Sequence, residues 1–165
     1  MEKHEKWNSK TIDMIVMIGL PGSGKSYTAE KTCKAYEEVG KPIEIISRDQ
    51  IRIDLGFCGS DEKFAGTKSQ EDKVSSIVTK RIKSCVERGV NFIIDNTSLK
   101  KKYRDAFKEL VKNNNVRVIY HYIEADSIET NIERRKGQID ARVIRNMLSS
   151  LEFPSKSECD YLLIN

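Results

Sequence analysis

The stretch Gly19-Leu20-Pro21-Gly22-Ser23-Gly24-Lys25-Ser26 has the residue types and spacing to hold a polyphosphate. It fits G-x-x-x-x-G-K-[ST], the P-loop pattern, at every fixed position. The glycines let the backbone turn tightly and aim several N–H groups at one anion. A helix starting near Gly24 adds its positive N-terminal end. Lys25 can reach the β- and γ-phosphates, and Ser26 offers a hydroxyl to Mg²⁺. Leu20, Pro21, Gly22, Ser23, Gly24, Lys25 and Ser26 are therefore expected to surround a nucleoside triphosphate, read as ATP, with Mg²⁺ beside it.

A second constellation is Ser47-Arg48-Asp49-Gln50-Ile51-Arg52, directly after an apolar run. In a helical turn Asp49 and Arg52 share a face. A carboxylate there could take the proton of a substrate hydroxyl, and a neighbouring arginine, Arg48 or Arg52, could hold a substrate anion. The same spacing also suits an N-cap aspartate with a local ion pair. Asp95 ends another apolar run. It could support Mg²⁺ through water, hold Ser26, or cap the next turn. Asn96 and Thr97 could touch substrate or satisfy that turn.

Arg134, Arg135 and Lys136 close a helical pattern that runs into Gly137. Cations at a helix C-terminus are favoured by its dipole whatever the function. Phosphoryl transfer also needs positive charge over the moving group, often delivered by a mobile lid. Arg135 lies on the face of Ile128 and Ile132, with Arg134 about a quarter turn away. Periodicity does not settle which of the two points inward, so Arg134 and Arg135 both stand as expected nucleotide contacts from the lid. His4 lies in a charged tail and His121 within a strand, so neither is expected to act in catalysis. No G-x-S-x-G is present.

Elements of the right kind surround these residues. Ile12–Ile18, Ile43–Ile46, Asn91–Asp95, Val116–Ile123 and Tyr161–Ile164 read as strands. Tyr27–Val39, Gln50–Leu55, Ser69–Arg88, Leu99–Lys112, Asp126–Lys136 and Asp140–Leu151 read as helices, several with three- and four-residue apolar spacing. Residues 56–68 read as a mobile loop near the substrate, and Trp7 as a residue packed on the sheet edge. Strand, loop and helix in repetition predict an α/β fold with three layers. It has a mostly parallel five-stranded sheet, helices on both faces and a helical lid over about 126–151. Binding residues are expected at the C-terminal ends of the strands.

The 165 residues suffice for one domain, spanning 1–165, with a core of its own. With 38% hydrophobic and 33% charged residues, the chain suits a soluble protein with a well-charged surface. A net charge of +4 permits an anionic substrate but does not by itself demand nucleic acid. Cys33, Cys58, Cys85 and Cys159 are scattered with no C-x-x-C pair, which points to a reducing cytoplasm. No apolar run approaches the roughly 20 residues that span a bilayer, so no membrane partner is expected, and no protein partner can be inferred from the residues.

Taken together, GLPGSGKS at 19–26, SRDQIR at 47–52, IIDNTSL at 93–99, RRKG at 134–137 and RVIRNMLSSLEFP at 142–154 resemble the P-loop polynucleotide 5′-kinase family and its small zeta-toxin-like relatives. The resemblance covers nearly the whole chain. It implies that Asp49 is the general base for a 5′-hydroxyl, that Arg52 contacts a substrate phosphate, and that Arg135 contacts ATP phosphates. The lid departs from the family pattern: an arginine usual earlier in that helix is replaced by Asn131 or Ile132. A phosphatase domain carried by bifunctional members is not found in these 165 residues.

Three functions follow as expectations. The first is an ATP-dependent kinase of the 5′-hydroxyl of a polynucleotide. The second keeps that chemistry but takes a small hydroxyl metabolite, a nucleoside, sugar or nucleotide-sugar. The third is a nucleotide-driven switch or ATPase module acting through partners, against which Asp49 and a lid both argue.

Overall fold

A computed structural model of the chain describes residues 11–59 and 66–165. Trp7, His4 and the middle of the expected 56–68 loop lie outside them. The elements are β1 (Ile12–Ile18), α1 (Lys25–Glu38), β2 (Ile43–Ser47), α2 (Arg48–Asp54), α3 (Lys68–Arg88), β3 (Asn91–Asp95), α4 (Lys101–Val111), β4 (Val116–Tyr122), α5 (Ile128–Arg134), α6 (Ala141–Ser149) and β5 (Tyr161–Ile164). The strands form one sheet in the order β2-β3-β1-β4-β5, with every neighbouring pair parallel.

Alternation along β1 feeds both faces of this sheet. Met14, Val16 and Ile18 pack with Val74, Val78 and Ile82 of α3 and Val111 of α4. Ile15 and Met17 face the other way, toward Ala29 of α1. That is why the strand reads as a continuous apolar run. The exception, Asp13, is buried at its start and matched by Arg117 at 2.7 and 2.8 Å and the Tyr36 hydroxyl at 2.6 Å.

Caps decide where the helices begin. Thr67 and Gln70 form a capping box at α3, and Gly89 closes it in a left-handed conformation at φ 69°. Ser127 caps α5 and Asp140 caps α6. The expected Asp126–Lys136 helix is therefore shorter, and Arg135 falls just past its end. The expected start of α4 at Leu99 also moves, to Lys101. Ser98 takes a positive φ of 47°, and Leu99 is buried in the corner.

That corner is fastened from within. Arg104 is fully buried and donates to the Ser98 and Leu99 carbonyls at 3.0 and 3.1 Å. Its other side pairs with Glu158 at 3.1 Å, just before β5. No described helix is long and apolar enough to cross a membrane.

Candidate active site

β1 runs into the P-loop at the centre of the sheet. The chain steps from β1 to β2 on one side and from β3 across β1 to β4 on the other, so strand connections diverge there. A cleft opens at such a switch point. It has a volume of about 560 Å³ and is lined by the P-loop, by α2, by the end of β3 and by the α5–α6 region.

Close approach requires glycine at two loop positions. A Cβ on Gly19 would stand 2.7 Å from the Ile123 carbonyl oxygen. One on Gly22, whose φ is 78°, would stand 2.7 Å from the Asn131 carbonyl oxygen and 3.2 Å from Arg135 Cγ. The α5 segment thus sits directly on the apex of the P-loop. Pro21, Gly22, Gly24, Lys25 and Ser26 line the cleft. Leu20 and Ser23 are buried and do not line it.

Lys25 is itself buried, and its Nζ donates to the Leu20 carbonyl at 2.7 Å. Burial lowers its pKa to about 8, against the opposing pull of the Asp95 charge. Ser26 Oγ donates to Asp95 Oδ2 at 2.8 Å, joining α1 to the end of β3. Burial raises the Asp95 carboxyl, with the Ser26 hydrogen bond and Lys25 opposing. A hydroxyl and a carboxylate side by side form an oxygen donor set that suits Mg²⁺. Asn96 Oδ1 accepts from the Thr97 amide at 2.8 Å, so its side chain satisfies the turn, though both residues line the cleft.

On the opposite wall Ser47, not Asp49, caps α2 by accepting from the Gln50 amide. The capping alternative for Asp49 is thereby removed. Its carboxylate is exposed and receives Arg52 Nη1 at 2.6 Å, with Arg135 Nη2 at 3.7 Å from its other oxygen. Arg135 therefore bridges the P-loop apex and Asp49. Arg134 points differently: Nη1 donates to the Gly22 carbonyl at 3.0 Å and Nη2 to Asp126 at 2.8 Å.

Sequence reasoning missed Glu71. This α3 carboxylate accepts from Arg52 Nε and Nη2, both at 3.0 Å, and from Arg48 Nη2 at 2.6 Å. Burial alone would push Glu71 up, but the hydrogen bonds and charges of Arg52 and Arg48 outweigh it and hold the carboxyl low. Ser75 accepts from Arg48 Nη1 at 3.0 Å. A glutamate on an amphipathic helix carries no local sign of such a role. Tyr27, Ile139 and Met147 also line the cleft unannounced. Apolar residues at helical spacing read as core.

A P-loop shaped for a polyphosphate, a carboxylate facing it across a cleft and a cationic segment resting on both mark a P-loop kinase, a phosphotransferase. A family model described as AAA domain (AAA_33) matches residues 14–154, and the chain belongs to that family. It is 26% identical over 171 residues to a Saccharomyces cerevisiae protein named "Probable gluconokinase", covering 96% of this chain and 84% of that one. The fold is similar to Kti12 of Chaetomium thermophilum in complex with ADP-AlF3. That match has a TM-score of 0.68 at 18% identity and covers 92% of this chain and 88% of the other. It is likewise similar to the Mycobacterium tuberculosis APS kinase CysC in complex with AMPPNP and APS. There the TM-score is 0.65 at 16% identity, covering 93% of this chain and 88% of the other.

Proposed function

We propose that this chain transfers the γ-phosphoryl group of ATP to a hydroxyl of a small metabolite such as a nucleoside, sugar or sugar acid. The observation that carries the choice of acceptor is Glu71. The acceptor wall bears two arginines, Arg48 and Arg52, but Glu71 and Asp49 pair with them and leave the wall close to neutral. A polyanion would gain little from such a wall. The likeness to a probable gluconokinase over nearly the whole chain favours the same class.

In this reading the P-loop amides and Lys25 hold the β- and γ-phosphates. Ser26, with Asp95 behind it, would hold Mg²⁺, which when bound neutralises phosphate charge. Asp49 takes the acceptor's proton as its oxygen attacks the γ-phosphorus, and ADP leaves. Arg135, already between the P-loop and Asp49, is placed to meet the charge that develops on the transferring group.

The 5′-hydroxyl of a polynucleotide is the second reading. It draws on the pairing of Asp49-x-x-Arg52 after β2 with Asp95-Asn96-Thr97 after β3, all on one cleft. Transfer from labelled ATP is to be measured to sugars, gluconate, nucleosides and 5′-hydroxyl oligonucleotides, beside bare hydrolysis. Small acceptors should be phosphorylated. Transfer confined to oligonucleotides would replace this reading by the second, and hydrolysis with no acceptor used would leave a nucleotide-driven switch.

A further inference from the structure

The turn between β3 and α4 is held more firmly than a connection between two elements needs to be. Three consecutive carbonyls in it are taken up by three other parts of the chain. The Thr97 carbonyl accepts from the amide of Gly19, the first P-loop residue, at 3.1 Å. The Ser98 and Leu99 carbonyls accept from Arg104 Nη1 at 3.0 and 3.1 Å. The Leu99 carbonyl also accepts from the Glu152 amide at 2.9 Å, just past the end of α6. Among these contacts Ser98, buried and not a glycine, is kept in the left-handed region at φ 47°. A residue persists there only where its surroundings over-determine it, and such places gather at functional sites.

A guanidinium is a costly way to secure a turn. Arg104 is fully buried, and a buried ion pair is often no more stabilising than apolar side chains of the same volume. What an apolar residue cannot supply is a rigid fork of N–H donors, here with Nη1 on two neighbouring carbonyls and Nε on Glu158. The residues carried by this turn are the ones the chemistry needs. Asp95 stands three positions before Ser98 and receives Ser26 Oγ at 2.8 Å, and Thr97 lines the cleft.

We propose that Arg104 is a positioning residue for phosphoryl transfer: by clamping the β3–α4 turn it holds Asp95 against Ser26 and Thr97 against the start of the P-loop. This rests on the role given above to Ser26 and Asp95 and not on the identity of the acceptor. Arg104 does not line the cleft. It governs turnover through placement, since a shift of about 1 Å in reacting geometry can cost about 10²-fold in rate.

The test is Arg104→Lys, which keeps a cation opposite Glu158 but loses the fork. Each substitution is made in the wild-type and in the Asp95→Asn background. Unfolding temperature and transfer from labelled ATP are measured, with AMPPNP affinity in Mg²⁺ and in EDTA as a readout apart from turnover. Arg104→Lys should fold and transfer about tenfold more slowly or worse, and Mg²⁺ should raise its AMPPNP affinity less than in wild type. In the Asp95→Asn background the same substitution should lower transfer less than about twofold, because the residue it acts through is gone. An equal fold-loss in both backgrounds would mark general loosening and overturn the proposal. Wild-type transfer by folded Arg104→Lys would overturn it as well. Should that variant not fold, Arg104→Met with Glu158→Leu, which strands neither charge, is put through the same comparison with the same criteria. Wild-type transfer by Asp95→Asn alone would overturn both the clamp and the role of Asp95 on which it rests.

Discussion

Replacing Asp49 with asparagine separates catalysis from architecture. Asp49 caps no helix, since Ser47 does so, and its side chain is 66% exposed. The substitution weakens two ion pairs, at 2.6 Å to Arg52 and 3.7 Å to Arg135. Neither arginine is stranded: Arg52 keeps its paired contacts with Glu71 at 3.0 Å, and Arg135 remains packed on the P-loop. Exposed pairs of this kind contribute up to about 1 kcal/mol. For a domain of this size that is a fall in unfolding temperature of about 2–4 °C. The amide, however, cannot accept the acceptor's proton, and general-base loss costs about 10²–10⁴ in rate. Three measurements suffice: unfolding temperature, AMPPNP affinity, and transfer from labelled ATP to the best acceptor in the panel. Near-native stability and nucleotide affinity with at least a hundredfold loss of transfer is expected. Transfer within a few-fold of wild type would refute the role of Asp49 as base.

Arg135→Ala should lower kcat by about 10²–10³ with a smaller change in ATP affinity, whereas Arg134→Ala, which unties α5 from the Gly22 carbonyl, should do less; steady-state kinetics showing the reverse order would exchange their roles. Glu71→Gln should cost about 1–3 kcal/mol in chemical denaturation and favour phosphorylated acceptors over their unphosphorylated forms, because Arg48 and Arg52 lose the charge that balances them. An equal effect on both acceptors would contradict the neutralised wall. Lys25 has a pKa of about 8 rather than the ordinary 10.5, and a bound polyphosphate favours its charged form. Nucleotide binding above pH 8 should therefore take up a proton, seen by calorimetry in buffers of different ionisation enthalpy, and affinity should fall as pH rises through 8. In the free protein the sign is the complement: between about pH 8 and 10.5 the unfolded chain holds more protons at this site, so folding stability from Lys25 rises with pH. Binding without proton uptake would show that Lys25 is already fully charged.

The strands were legible because each is an apolar run of the right length, and all five appear close to their expected positions. The P-loop was legible because its glycines and lysine follow from the geometry of one anion. Helix ends were less so. The α5 pattern continues past Arg134, but the Ser127 cap at one end and the turn at Arg135 at the other trim it, and only backbone geometry shows this. Among pairings across long separations, Ser26 with Asp95 was legible because the P-loop motif and a strand end place both, but pairings outside the motifs were not. Arg52 and Glu71 are 19 residues apart, and nothing local distinguishes Glu71 from a solvated glutamate. Likewise Arg134 and Arg135 differ by one position in sequence yet point to different partners, Gly22 and Asp126 for one and Asp49 for the other.

The buried Arg104–Glu158 pair bears on how the chain matures during synthesis. Arg104 emerges from the ribosome 54 residues before its counterion. Until Glu158 follows, sealing that guanidinium inside would strand a cation in low dielectric, a state several kcal/mol uphill. The corner at Ser98–Leu99 depends on the same guanidinium for its carbonyls. The turn that follows the cleft residues Asp95, Asn96 and Thr97 is thus tied through one buried guanidinium to the segment that leads into the edge strand β5.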